Sequence, residues 1–461
     1  MNNQKNINQK GTFLVSPAYH KSSKFLISFD DKKSVSHAGL VLIDELANKL
    51  DLIKAADNLI DLGNVAGRAN PGQKIMTLIE SLVVGGDCID DADILRSGST
   101  SNIVSHKVMA PSTLGTFLRS FTFGHLKQLD KLTAELLKTA WNFNISSKND
   151  NLTIDLDSTI CEVHGKQKQG ASYGYTKVLG LHPLIASLSN TGEIVHVRNR
   201  RGSAHSGKGS DHFIKETIKR VRDTGAVGEI TLRADSGFYS QYVIKACRAK
   251  EINYSITAKL TGPVRKAIES IDDSNFVEID YTLNGKAYVG ETPYGDNQRL
   301  IVRRTKITGV QSELFPNYRY HAFVTNLDKD KVELDAYHRD HAVIELNIKD
   351  LKENVGLNHM PSGKFNANGA WLIIASIAYN MMIWINLLTN QTKITAKTFR
   401  KRFINIAGRI TRKARTLIVH ATTFLILRVF LNRSVCIYLL DDAQQLKLTP
   451  TTLVVLNMNY L

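Results

Sequence analysis

The chain has 461 residues, 43% of them apolar, and its 59 Lys and Arg against 43 Asp and Glu leave a formal charge of +16. That length and apolar share are enough for two or three domains with real cores, and the charge points to a polyanionic partner, nucleic acid or an anionic membrane surface. Cys88, Cys161, Cys247 and Cys436 lie far apart with no C-x-x-C pair, so neither a zinc ribbon nor a disulfide framework is supported and a reducing cytoplasm is expected.

The stretch Met1 to Lys10 is too polar for a secretory signal, and residues 1–37 read as a flexible arm or edge. From 38 to 145 the pattern is helical. Leu42, Leu46, Leu50 and Ile53 recur at three- and four-residue spacing, as do Leu126, Leu129, Leu132, Leu136 and Leu137. Pro111–Arg119 offers Ser and Thr as caps ahead of a short apolar helix. This region is a candidate helical DNA-binding domain. The polar run Asn144 to Asn151 ends it.

Residues 146–260 alternate strand-like and helical runs: Thr153 to Ile160, Val178–Leu181, Leu184–Leu188, Ile194–Arg198, a helix from Phe213 to Arg222, Glu229–Ala234, a helix from Gln241 to Lys250, and Tyr254–Ala258. That order predicts a mixed sheet flanked by helices, an α/β fold. A basic loop from Arg198 to Gly209, with Arg200 and Arg201, is placed to steer phosphates. Residues 261–330 are strand-rich, with Asn284 and Gly285 as a hairpin turn, and form a β-rich insertion. Helical pattern returns over 331–390. Ala370 to Leu388 has nearly the length of a membrane span, but Asn380 and Asn386 interrupt it, so a helix buried in a soluble core is the better reading. Residues 391–461 carry the charge asymmetry. No Asp or Glu lies between Glu353 and Asp441, and Arg400, Arg402, Arg409, Arg412 and Arg415 alternate with apolar residues at near-helical spacing. A run so one-sided repels itself unless a polyanion is nearby, which favours DNA contact.

Three acidic stretches stand out. Asp155 and Asp157 lie two apart in Thr153-Ile-Asp-Leu-Asp-Ser-Thr159, a spacing that turns both to one face of a strand. Asp235 ends a second strand in Leu232-Arg-Ala-Asp-Ser-Gly-Phe238, and Glu345 lies on a helix, Ala342 to Lys352. Acids from two strand ends and a helix suit a two-metal site for phosphodiester chemistry, since hard cations take carboxylate oxygens. With Glu345 facing such ions, His341, Lys349 and Lys352 share its side of the helix and are placed to touch phosphates. The bland alternatives are a strand that ends in a polar turn and a Glu345–Lys349 surface ion pair worth tenths of a kcal/mol.

At these residues the sequence resembles the DDE transposases of bacterial insertion sequences, whose catalytic core is ribonuclease-H-like. The matching pieces are Asp155-Leu-Asp-Ser-Thr159, Arg233-Ala-Asp-Ser-Gly-Phe238 and His338 to Lys352, with Pro361 to Trp371 and Ala407-Gly-Arg409 further on. The resemblance implies a ribonuclease-H-like mixed sheet with a β-rich insertion and a helical N-terminal domain. It implies Asp157, Asp235 and Glu345 as metal ligands and catalytic residues, with Asp155 the alternative for the first, and two Mg²⁺ or Mn²⁺ ions. It further implies binding of inverted-repeat ends, 3′-end cleavage and strand transfer into target DNA by at least a homodimer, with no membrane. Many relatives carry Tyr and Arg on the last helix where this chain has His338 and His341, while the Lys matches as Lys352. A nuclease that cuts without joining, or a non-catalytic DNA-binding descendant of a transposase, is the alternative reading.

Overall fold

The computed structural model describes residues 28, 30–63, 67–143, 145, 150–165, 167–174, 176–281, 286–306, 318–389, 393–413 and 416–421, with short strands at Phe13–Val15, Phe25–Ile27 and Leu453–Leu456. Helices come first: α1 Leu40–Lys49, α2 Leu52–Leu59, α3 Pro71–Val84, α4 Pro111–Arg119 and α5 Phe123–Asn142. Helix α3 is buried along almost its whole length and so acts as the centre of this group. Helix α4 begins differently from expectation. Ala110 occupies the cap position and Pro111 the first turn, so Ser112 and Thr113 lie inside the helix rather than capping it. Proline suits that place because the first helical N–H has no intrahelical acceptor anyway.

A nine-stranded sheet follows, built from β1 Leu152–Ser158, β2 Leu184–Leu188, β3 Ile194–Arg198, β4 Ile230–Ala234, β5 Asn253–Thr257, β6 Val277–Ile279, β7 Ala287–Pro293, β8 Arg299–Lys306 and β9 Tyr318–Thr325. Its order is β6-β7-β8-β9-β5-β4-β1-β2-β3. The pairs β3–β2 and β2–β1 are antiparallel, whereas β1–β4 and β4–β5 are parallel. Three antiparallel strands followed by two parallel ones make the mixed sheet that the element order predicted. The insertion does not stand apart from it: β9 pairs antiparallel with β5, so β9, β8, β7 and β6 extend the same sheet. The parallel steps require crossovers, and helices α6 Ser210–Asp223 and α7 Gln241–Arg248 fill them. Helix α8 Gly262–Glu269 leads into the insertion. The turn expected at Asn284 and Gly285 lies outside the described residues.

After β9 come α9 Lys331–Arg339, α10 Val343–Asn354, α11 Phe365–Leu388 and the short α12 Ala396–Phe399. Helix α11 is, among the described residues, the one helix long and apolar enough to cross a membrane, and 89% of its most apolar window is buried in protein. The polar residues that interrupt it have partners in the fold. Asn380 Oδ1 accepts from the Ile194 N–H at 2.7 Å and its Nδ2 donates to the Ile194 carbonyl at 2.8 Å, which satisfies backbone on edge strand β3. Glu193, just before β3, accepts from the indoles of Trp141 and Trp384 at 3.0 and 2.7 Å. In this way α11 joins the helical region to the sheet, and one hydrophobic core runs through both.

The basic stretch near the end departs from its expected helical spacing. Gly408–Lys413 is a strand that pairs with Thr416–Ala421 on one side and Ser34–Val35 on the other. Ile410 is buried between exposed Arg409 and Arg412 and half-buried Thr411. Strand backbone turns every second residue to the opposite face, and that period accommodates these cations better than a helix.

Candidate active site

The site grows from one polar face of the central strands. In the parallel register Arg233 lies opposite Asp155 and Ala234 opposite Leu156, so Asp157 and Asp235 occupy neighbouring positions one step further, at the carboxyl ends of β1 and β4. Alternation sends Ile154, Leu156, Leu232 and Ala234 into the apolar core on the other face.

On the inner rung Asp155 and Arg233 form a closed pair. Arg233 Nε donates to Asp155 Oδ1 at 2.7 Å and Nη2 to Oδ2 at 2.9 Å, with Ser189 Oγ and the Tyr337 carbonyl taking further donors. The guanidinium also lies 4.8 Å from the centre of the Tyr337 ring. His341 Nδ1 approaches Asp155 Oδ1 at 3.0 Å. Both charges are out of solvent, where such a bidentate arrangement is what makes burial tolerable.

On the outer rung the acids have no such partner. Among the described residues Asp157 accepts only its neighbour's N–H, from Ser158 at 2.6 Å, and Asp235 accepts from Gly237 at 2.9 Å as the cap of a one-turn 3₁₀ helix. Among the described residues no Lys, Arg or His nitrogen forms an ion pair with Asp157, Asp235 or Glu345. Burial pushes the Asp157 carboxyl up to about 6, reinforced by the charges of Asp235 and Glu345 and opposed by the Ser158 N–H and His341. Burial likewise raises Asp235, against its backbone donors and the charges of His341 and Lys259. Glu345 reaches this place from the first turn of α10, with an exposed side chain. Its charge acts on Asp157, as that of Asp235 does, although the oxygens of the three acids are not all drawn within 4.8 Å of one another as in two other clusters. Carboxylates on two strand ends and a helix, without ion-pair partners among the described residues, are oxygen donors of the kind that hard divalent cations take.

The sequence profile of the family described as Transposase DDE domain group 1 matches residues 18–435. The chain belongs to the DDE transposase family. Members act on DNA and generally use divalent metal ions. No curated protein matches. Among solved structures, a piggyBac transposase synaptic complex with hairpin DNA is similar at 12% identity and a TM-score of 0.45, over 80% of this chain and 79% of that one. A Marinitoga piezophila Argonaute in complex with a 5′ OH guide RNA is similar at 11% identity and a TM-score of 0.20, over 49% and 34%. Both scores are too low to bear on function.

Several cations of this DDE transposase lie elsewhere than expected. Arg200 is buried, and its guanidinium donates to the carbonyls of His182, His205, Ser206 and Lys208 at 2.9–3.1 Å. It shapes the basic loop from within and is not offered to phosphate. Arg400 is also buried and donates to the Asn354 carbonyl at 2.7 Å. A guanidinium carries five donors, so it can gather carbonyls where an irregular segment leaves them unpaired. Lys352 Nζ donates to the Ile160 carbonyl at 2.9 Å, and His341 is turned to Asp155. Arg201, Lys349, Arg402, Arg409 and Arg412 are exposed, with Arg409 3.9 Å from Asp31. Arg415 lies outside the described residues.

Sequence reasoning missed Arg233, Lys259 and Ser206. Arg233 carried a signal, since it stands two residues before Asp235 and therefore on the same strand face. Ser206 carried none. Its hydroxyl meets that of Ser158 at 2.9 Å, and His182 meets Ser158 at 3.0 Å, which fastens the basic loop to the end of β1. The approach is close enough that a Cβ on Gly237 would lie 2.7 Å from that of Ser206.

Proposed function

We propose that this transposase binds the inverted-repeat ends of its own insertion sequence, cuts at their 3′ ends and joins them to target DNA. The observation that carries the reading is the pairing of Asp157 with Asp235 at adjacent parallel strand ends, without cationic partners and within the field of Glu345. Those three residues would hold two Mg²⁺ or Mn²⁺ ions. When bound, the ions supply Lewis-acid stabilisation of the charged phosphoryl transition state and an activated oxygen nucleophile.

The chain's own residues set the geometry for this. Arg233, locked on Asp155, holds β1 and β4 in register beneath the outer acids, and the Gly237 N–H fixes Asp235 Oδ1. Lys349 and Arg201, both exposed, are the groups that would contact phosphates of the cut strand and its flank. In cleavage, water attacks the phosphodiester and frees a 3′-hydroxyl. In transfer, that hydroxyl attacks a target phosphodiester and the target's own 3′-oxygen leaves. Synapsis of two ends requires at least a dimer, and the work belongs in the bacterial cytoplasm beside the nucleoid.

The test is an assay of cut and joined products on end DNA with Mg²⁺. Both products are expected from the parent chain. Asp235→Asn should lose both by about a thousandfold or more, the weight of several kcal/mol of transition-state stabilisation, while still binding the ends. Full cleavage by that variant removes Asp235 from the mechanism, and cleavage without joining makes the protein a nuclease.

A further inference from the structure

The helical region holds a second convergence of ligand-type side chains, which the reaction above does not use. Asp44 on α1, Glu80 on α3 and His106 ahead of α4 each bring one ligand atom within 4.8 Å of the other two. All three residues are buried, Glu80 at 0% exposure. Asp44 is held in place by Ser105, whose N–H lies 3.0 Å from both carboxylate oxygens and whose hydroxyl donates at 2.9 Å. His106 Nε2 lies 3.5 Å from Glu80 Oε2, and Nδ1 lies 3.8 Å from Asp44 Oδ1. Thr77 Oγ1 approaches His106 Nε2 at 3.4 Å.

Glu80 decides how this cluster is read. Among the described residues neither of its oxygens has a hydrogen-bond partner, and neither does His106 Nδ1. An ionised carboxylate buried without a donor is costly unless a cation compensates it. Burial, and after it the Asp44 charge, push the Glu80 carboxyl well above the usual carboxylate range, so its charged form is disfavoured unless a cation lies beside it.

We propose that Asp44, Glu80 and His106 form a structural site for one divalent transition-metal ion of the zinc class, tying α1 and α3 to the segment that leads into α4. One imidazole and two carboxylates make a mixed nitrogen and oxygen set that suits zinc, whereas Mg²⁺ keeps several waters and prefers oxygen alone. Two carboxylate charges balance the ion. Residue His106 also borders an open surface cleft with Arg96, Ser101 and Lys107.

The experiment uses the full chain stripped by a chelator and then given Zn²⁺ in an excess of Mg²⁺. Elemental analysis after desalting should find one zinc per chain, and the melting temperature should rise. The Asp157→Asn/Asp235→Asn chain should bind that zinc as the parent does, which separates this site from the strand ends. Glu80→Gln keeps the side chain's shape and removes its charge, and it should weaken zinc binding about tenfold or more. Should Glu80→Gln fail to fold, Co²⁺ in the Asp157→Asn/Asp235→Asn chain takes its place, with a d–d absorption band expected to saturate at one equivalent and to be displaced by Zn²⁺ but not Mg²⁺. No retained zinc, no saturating band, or unchanged zinc affinity in a folded Glu80→Gln chain overturns the proposal and leaves Glu80 a core acid that holds no ion.

Discussion

Asp155 and Asp157 lie on the same strand, two residues apart and on the same face, yet the fold treats them oppositely. Asp155 is closed off by Arg233 and His341 at 2.7–3.0 Å, whereas Asp157 has a single backbone donor and an acidic neighbour. One rung along the strand therefore separates a neutralised carboxylate from one that no cation neutralises among the described residues. An acid is useful to a metal when nothing nearby neutralises it. Structure is spent on the inner rung so that the outer rung can be left unsatisfied.

The contrast can be broken most directly at Asp157. Asp157→Asn should lower Mg²⁺-dependent cleavage by about a thousandfold or more and yet make the metal-free protein more stable at neutral pH. The sign follows from a carboxyl pushed up to about 6 in the folded chain. Between its ordinary value and about 6 the folded state holds a proton that the unfolded state has lost, so stability falls as pH rises through that window. The variant should therefore exceed the parent by about 1–3 kcal/mol above pH 7, and the gap should close below pH 4. Urea titrations at both pH values measure it, and a variant less stable at pH 7.5 would contradict the burial argument.

Asp155→Ala should do the reverse. It strands the Arg233 guanidinium in the core, at a cost of about 3–5 kcal/mol, read as a lower urea midpoint with unchanged slope. A stable Asp155→Ala chain that cannot cut would exchange the roles of the two acids. The smallest effect is expected at the rim, where Lys349→Ala should weaken end binding only a few-fold and reduce the slope of log affinity against log salt by about 1. No change in slope would remove Lys349 from the phosphate contacts.

Much of the architecture was legible because strands and helices write their periods into the sequence. The strand that carries Asp157, the one that delivers Asp235 and the helix that carries Glu345 all read correctly, as did the burial of α11 despite its length. The basic residues were harder to read. Arg200 and Arg400 look like Arg201 and Arg402 in sequence, yet two are enclosed among carbonyls and two are exposed. Arg409 and Arg412 fit a helical spacing as well as a strand, and pairing with Ser34–Val35 decided between them. Nothing local marked Glu80 or His106, whose partners lie on separate elements.

By itself the sequence determined the types of the elements that carry the three acids, the order of those acids and the family, because periodicity and motif spacing are properties of a chain read along its length. Tertiary structure alone decided which of two equivalent aspartates is neutralised, that the insertion extends the central sheet, and which arginines face outward. Those outcomes depend on strand register and helix placement, which bring together residues as distant as Asp155 and His341, and no stretch of sequence carries that information.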